Sequence, residues 1–155
     1  MRALTVRRSV LWILTVSVAG LIFWLSGQTA EQSGSLSGSV TNGLLGQLFV
    51  WLKLTAEEQQ AVHELIRSLA HVVLFSALGL CVSLLVRSYT VRFWLYITLP
   101  VCFVYALSDE CHQSLFADGR AFEWADIAKD MIGVLLAVVL VHLVIAWQKR
   151  KKRGT

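Results

Sequence analysis

This sequence predicts an all-α integral membrane protein: four transmembrane helices plus a short extracytoplasmic interfacial or re-entrant helix, in a single domain covering 1–155. Three observations predict it. The 155 residues are 56% hydrophobic and only 15% charged, with a mean hydropathy of +0.64, which is too apolar for an ordinary soluble domain. Four apolar segments, at about 9–25, 70–86, 91–108 and 131–147, have roughly the length a spanning helix needs. The charges between those segments also separate by sign.

The first segment, SVLWILTVSVAGLIFWL, follows a start that carries Arg2, Arg7 and Arg8. A secretory signal peptide begins the same way. This run is long for one, and no clean small-x-small cleavage site follows it, so an uncleaved first helix is expected. From Ser26 to Gly46 the composition turns to Ser, Gly, Thr, Gln and Asn, which reads as an irregular connection, with the Ser/Gly stretch 33–39 at its centre. Leu44, Leu45, Leu48, Phe49, Trp51 and Leu52 then form an apolar stretch too short to span, hence the interfacial helix.

Thr55 opens the sequence T-A-E-E, a capping box with Glu58 three residues on. The helix it starts is amphipathic through Val62, Leu65, Ile66 and Leu69, then runs into the second apolar segment. Glu57, Glu58, His63, Glu64 and Arg67 occupy its polar end. The third segment carries Pro100 near its middle, where a kink is expected. The fourth ends in QKRKKR, and the basic tail 148–155 reads as a topology anchor attracted to anionic lipid. No aromatic interleaving or folded reader accompanies that tail, so nucleic acid is not an expected partner.

Orientation follows from the charges. With four spans, one side holds ten of the 14 Lys and Arg residues and no acid, while the other holds four cations and all ten acids. The positive-inside rule then puts both termini in the cytoplasm, makes the chain a multi-pass membrane protein, and leaves the segments 26–69 and 109–130 outside. Trp12, Trp94 and Trp147 fall toward the inner interface, and Trp24, Trp51 and Trp124 toward the outer one.

The stretch from Tyr105 to Gly133 concentrates the polar chemistry: six acidic residues, a histidine, an arginine and a lysine between two apolar segments. Helical spacing sorts them. Arg67 and His71 share a face at i, i+4; Asp109, His112 and Gln113 share one at i, i+3, i+4; Asp126, Asp130 and Gly133 share one at i, i+4, i+7. In a compact bundle the three faces converge below the outer surface. A charge in hydrocarbon costs about 2.5–3.5 kcal/mol on insertion scales, so such groups turn inward and pair. Gly133 would let a neighbouring helix approach Asp130 closely. Ser26 and Gln28 sit close enough to the outer surface to join.

Three pieces of the chain resemble one bacterial family: LSGQTAEQSGSLSGSV after the first span, RSLAHVVLFSALG opening the second, and SDECHQSLFADGRAFEWADIAKDMIG, which is the most specific. On these the chain resembles the VanZ-like membrane proteins, named for a protein associated with resistance to the glycopeptide teicoplanin. In the third piece Asp109, Glu110, Gln113, Gly119, Arg120, Asp126, Asp130 and Gly133 stand in matching positions. Ser68 stands where the family often has Lys, Phe75 where Tyr is common, and Asp118 where Pro usually precedes Gly-Arg. The first two leave the second helix without an extra cation or a phenol at those positions. The resemblance names a family and not a reaction.

The residue types point to an outward-facing site for an anionic cell-envelope molecule, either a lipid-linked cell-wall precursor or a lipid headgroup. The resemblance adds a contribution to teicoplanin resistance. Arg67, Arg120, Gln113 and Asp126 are the substrate-binding candidates, since a guanidinium gives an oxyanion two parallel hydrogen bonds. His71, Asp109, Glu110 and Asp130 are the candidates for general acid or base, should the site modify its ligand. Two alternatives stay open: a non-catalytic accessory protein whose polar cluster is a helix-bridging ion-pair network, and a small transporter. His142, the one ionisable group well inside the inner half of a span, offers the transporter little of a path. There is no HExxH and no Cys/His cluster of zinc spacing, so no metal and no cofactor is expected. Cys81, Cys102 and Cys111 follow no disulfide pattern. The expected partners are membrane lipids, and the oligomeric state is left open.

Overall fold

The computed structural model describes residues 2–28, 43, 49–53, 55–90, 92–116 and 121–153. Gly119, Arg120, the stretch 33–39 and most of the predicted interfacial helix lie outside the described residues. Of that helix, residues 49–52 form a helical turn, with Phe49 buried and Trp51 exposed. Four long helices make up the rest: α1 (Arg2–Ser26), α2 (Ala56–Tyr89), α3 (Trp94–Phe116) and α4 (Trp124–Arg153).

Side-chain links fix how they run. Arg8 of α1 donates to the Ser88 carbonyl at the end of α2 through Nη2 at 2.6 Å and Nε at 3.2 Å. The other end of α1 meets α3, where Ser26 bonds Asp109. Tyr105 donates to the Ala19 carbonyl at 2.6 Å between the same two helices. On α2 and α4, His71 pairs with Asp130 and Ser76 with Gly133, so residue numbers ascend together. The order is therefore up, down, up, down, with α1 parallel to α3 and α2 parallel to α4. One end of the bundle gathers Arg8, Arg87 and Arg92; the other gathers the acids.

The α2–α4 crossing is the closest, and glycine is the reason. A Cβ on Gly133 would collide with the Val72 carbonyl oxygen and lie 3.0 Å from the Ser76 nitrogen. One on Gly79 would sit 3.0 Å from the Val134 Cα. Small residues that let backbones meet are what helix pairs in lipid use, because apolar burial gives no advantage there. The Ser76 hydroxyl shares its proton between the Val72 carbonyl at 2.7 Å and the Gly133 carbonyl at 2.9 Å, tying the two helices at their contact. Around this axis Ile22, Phe75, Leu78, Val82, Cys102, Ala106, Val134 and Val138 form the core.

The outer surface is apolar. Val16, Phe23, Val73, Tyr96, Val104, Leu136 and Leu143 are all exposed, whereas Asp109, Glu110, Gln113 and Asp130 are buried. That inversion of the soluble pattern marks a membrane protein.

The sequence predicts four spans. Among the described residues three helices are long and apolar enough to cross a membrane: Leu4–Ser26 within α1, Ala56–Tyr89, and Trp124–Lys152 within α4. α3 has 23 residues. Its apolar run ends at Leu107, and Asp109, Glu110, His112 and Gln113 fill the turns that follow, so it falls short in composition rather than length. It runs through Pro100 as one helix. The capping box forms as read, with the Thr55 N–H donating to Glu58 Oε2 at 2.8 Å and the Glu58 N–H to Thr55 Oγ1 at 3.3 Å. Trp94 departs from the interfacial pattern: it is buried, with the Arg87 guanidinium 5.8 Å from its ring. His63, at the polar end of α2, stands edge-on to Phe49 at 6.1 Å.

Candidate functional site

A polar cleft of about 310 Å³ opens at the acidic end of the bundle, between the N-terminal half of α2 and the start of α4. α2 lines it with Glu64, Arg67, Ser68 and His71; Glu123, just before α4, faces them with Asp126 and Lys129. Spacings of three and four residues put the α2 set on one helix face, and Asp126 and Lys129 share a face of α4 at i, i+3.

His71 is the most constrained of these residues. Its Nδ1 lies within hydrogen-bond distance of Asp130 Oδ1, at 3.0 Å. Asp130 is buried, while the His71 side chain keeps 16% of its surface. Against an ionised carboxylate Nδ1 is the donor, which leaves the second ring nitrogen of a neutral imidazole as an acceptor. A buried carboxylate is tolerated only with such a partner. Gly133 brings it into reach by letting α4 settle against the α2 backbone one turn further along.

Arg67 is half-buried and forms no ion pair among the described residues. Lys129 Nζ donates to Asp126 Oδ1 at 2.5 Å, an i, i+3 pair within α4. Glu123 has a double place: its side chain lines the cleft, and its backbone N–H donates to Glu110 Oε1 at 2.6 Å.

The remaining candidates form a second cluster against α1. Ser26 Oγ–H donates to Asp109 Oδ2 at 2.8 Å, and Gln113 Nε2 donates to the same oxygen at 2.9 Å and to Ser26 Oγ at 3.3 Å. Asp109 Oδ1 and Glu110 Oε2 are buried without a hydrogen-bond partner among the described residues, although buried polar atoms normally find one. His112, on the face predicted to converge, turns instead toward aromatic rings, 4.2 Å from Phe23 and 5.2 Å from Phe116.

The structure thus brings Arg67, His71, Asp126 and Asp130 together and ties Asp109 and Gln113 to Ser26, with Glu110 reaching toward the start of α4. Arg120 lies outside the described residues. Sequence reasoning missed Glu64, Ser68, Glu123 and Lys129 as lining residues and Ser76 as the clasp between helices. For Glu64 and Ser68 the signal was present, since they precede Arg67 and His71 by three residues on the same face. For Ser76 it was not, because a serine within an apolar run discloses no partner. Among the described residues no group of three or more His, Cys, Asp or Glu side chains is arranged to hold a metal ion.

Comparison with known proteins gives a family and no close relative. No curated protein and no solved structure matches the chain. The family model described as VanZ/LLP1 matches residues 11–145, nearly the whole of the four-helix unit, and the chain belongs to that family.

Proposed function

We propose that the cleft binds the charged head of a cell-envelope molecule, a lipid headgroup or a lipid-linked cell-wall precursor, from the outer side of the bacterial cytoplasmic membrane. Arg67 carries the reading: a half-buried guanidinium lines a polar cleft and is free of ion pairs among the described residues. Such a group recognises phosphate or carboxylate oxygens through paired hydrogen bonds. Arg120, outside the described residues, joins it in this proposal as a second guanidinium from the segment that precedes α4 in sequence. The charge asymmetry supports the orientation, with both termini cytoplasmic and four passes, α3 crossing in the company of the other helices. Exposed Trp24 and Trp124 at the cleft end support a depth near the headgroups.

The accessory-protein alternative is less well supported. Of the two ion pairs among the described residues, only His71–Asp130 bridges helices, and Lys129–Asp126 stays within α4. A catalytic version has one observation in its favour, the bracing of His71 by Asp130, which leaves a ring nitrogen at the cleft to act as general base.

Arg67→Ala and His71→Ala test the site in cells, with drug susceptibility and lipid profile as readouts. A contribution to teicoplanin resistance is lost in both variants if the cleft is the working site. Unchanged susceptibility and lipids in variants that remain folded and abundant would sink the reading.

A further inference from the structure

The cleft is charged on both sides. Lys129 and Asp126 neutralise each other, which leaves the Arg67 guanidinium with the Glu64 carboxylate beside it on α2 and the Glu123 carboxylate on the facing wall. Neither Glu64 nor Glu123 forms an ion pair among the described residues, and Glu64 accepts only a 3.4 Å bond from Gln60 Nε2. A purely anionic head would meet Arg67 and be repelled by two carboxylates close by. We infer that the ligand is zwitterionic, carrying an anionic phosphate or carboxylate for Arg67 and a primary ammonium for Glu64 and Glu123.

The kind of ammonium follows from the lining. Recognition of quaternary ammonium relies on aromatic faces, and no Phe, Tyr or Trp lines the cleft among the described residues. Carboxylates instead accept N–H bonds, which a primary ammonium has and a trimethylated one lacks. An ethanolamine-type head therefore fits better than a choline-type one. This inference rests on the reading of the cleft as a binding site and specifies what it takes.

The full chain in non-ionic detergent is titrated calorimetrically with dihexanoyl phosphatidylethanolamine, phosphatidylcholine and phosphatidylglycerol, and with free phosphoethanolamine. Phosphatidylethanolamine is expected to bind about tenfold more tightly than the other two lipids, the difference one charge-assisted hydrogen bond makes. Glu123→Gln and Glu64→Gln should erase that preference, and Arg67→Gln should weaken binding of all three lipids by about tenfold. Free phosphoethanolamine binding as tightly as the short-chain lipid supports the inference and assigns a soluble source; tight binding of the lipid alone supports it and assigns a headgroup. Phosphatidylglycerol or phosphatidylcholine binding as tightly as phosphatidylethanolamine, with no effect of Glu123→Gln, overturns the zwitterion; a loss of phosphatidylglycerol binding in Arg67→Gln would then leave the anion site standing. No saturable binding of any probe by protein with a normal unfolding transition overturns both.

Discussion

Asp130 carries a carboxylate into the interior of an apolar bundle, where it is 1% exposed, and His71 meets it. Removing one partner of a buried pair strands the other, at a cost of about 3–5 kcal/mol, whereas removing both is far milder. His71→Ala is therefore expected to lower stability by about 3 kcal/mol, and the double variant His71→Ala, Asp130→Asn to recover much of it. Denaturant unfolding in micelles measures both; an additive pair would refute the coupling. Part of this was legible beforehand. Spacing alone put Arg67 with His71 and Asp126 with Asp130, because a helix repeats. Which aspartate His71 would find was not legible, since that depends on the register between two helices distant in sequence. The Ser26–Asp109 bond shows the same limit: both residues were placed near one surface, and only the packing of α1 against α3 joined them.

Register is an element-scale property, and the α2–α4 contact sets it. Gly133→Ala forces a methyl group against the Val72 carbonyl, which is backbone and cannot swing aside. A loss of about 2–3 kcal/mol is expected, against about 1 kcal/mol for Gly79→Ala, whose nearest neighbours leave more room. Thermal unfolding of the two variants checks the order, and the reverse order would count against the crossing as described. The capping box at Thr55 was fully readable because its partners are three residues apart. Helix lengths were not, since hydropathy reports the hydrocarbon-facing part alone. α2 and α4 both begin with polar turns that the apolar count excludes, and these turns carry the candidate cleft.

For the whole molecule, the charge separation makes a prediction about sidedness. Cys111 is exposed on α3 near the acidic end, whereas Cys102 is buried and Cys81 half-buried. In intact cells a membrane-impermeant maleimide is expected to label Cys111 and spare the other two; labelling only after the membrane is opened would reverse the proposed orientation. The all-helical class and the inverted surface were legible from composition, since a chain this apolar has few other ways to satisfy its backbone. The number of spanning helices was less so, because α3 owes its place to buried polar contacts rather than to its own hydropathy.

The parallel pairing of α2 with α4 also bears on how the chain is made. Two parallel helices cannot be joined by a tight turn, so α3 has to cross back before α4 exists. Until α4 emerges from the ribosome, His71 lacks Asp130 and the α2 backbone around Val72 lacks the helix packed against it, and the half-made protein presents an unpaired imidazole to lipid. A chain stopped after Phe116 should therefore be cleared rapidly by quality-control proteases, with a pulse-chase half-life well below that of the full chain. Supplying α4 as a separate segment should slow that clearance, and a truncated chain as long-lived as the intact one would show that the first three helices do not wait for the last.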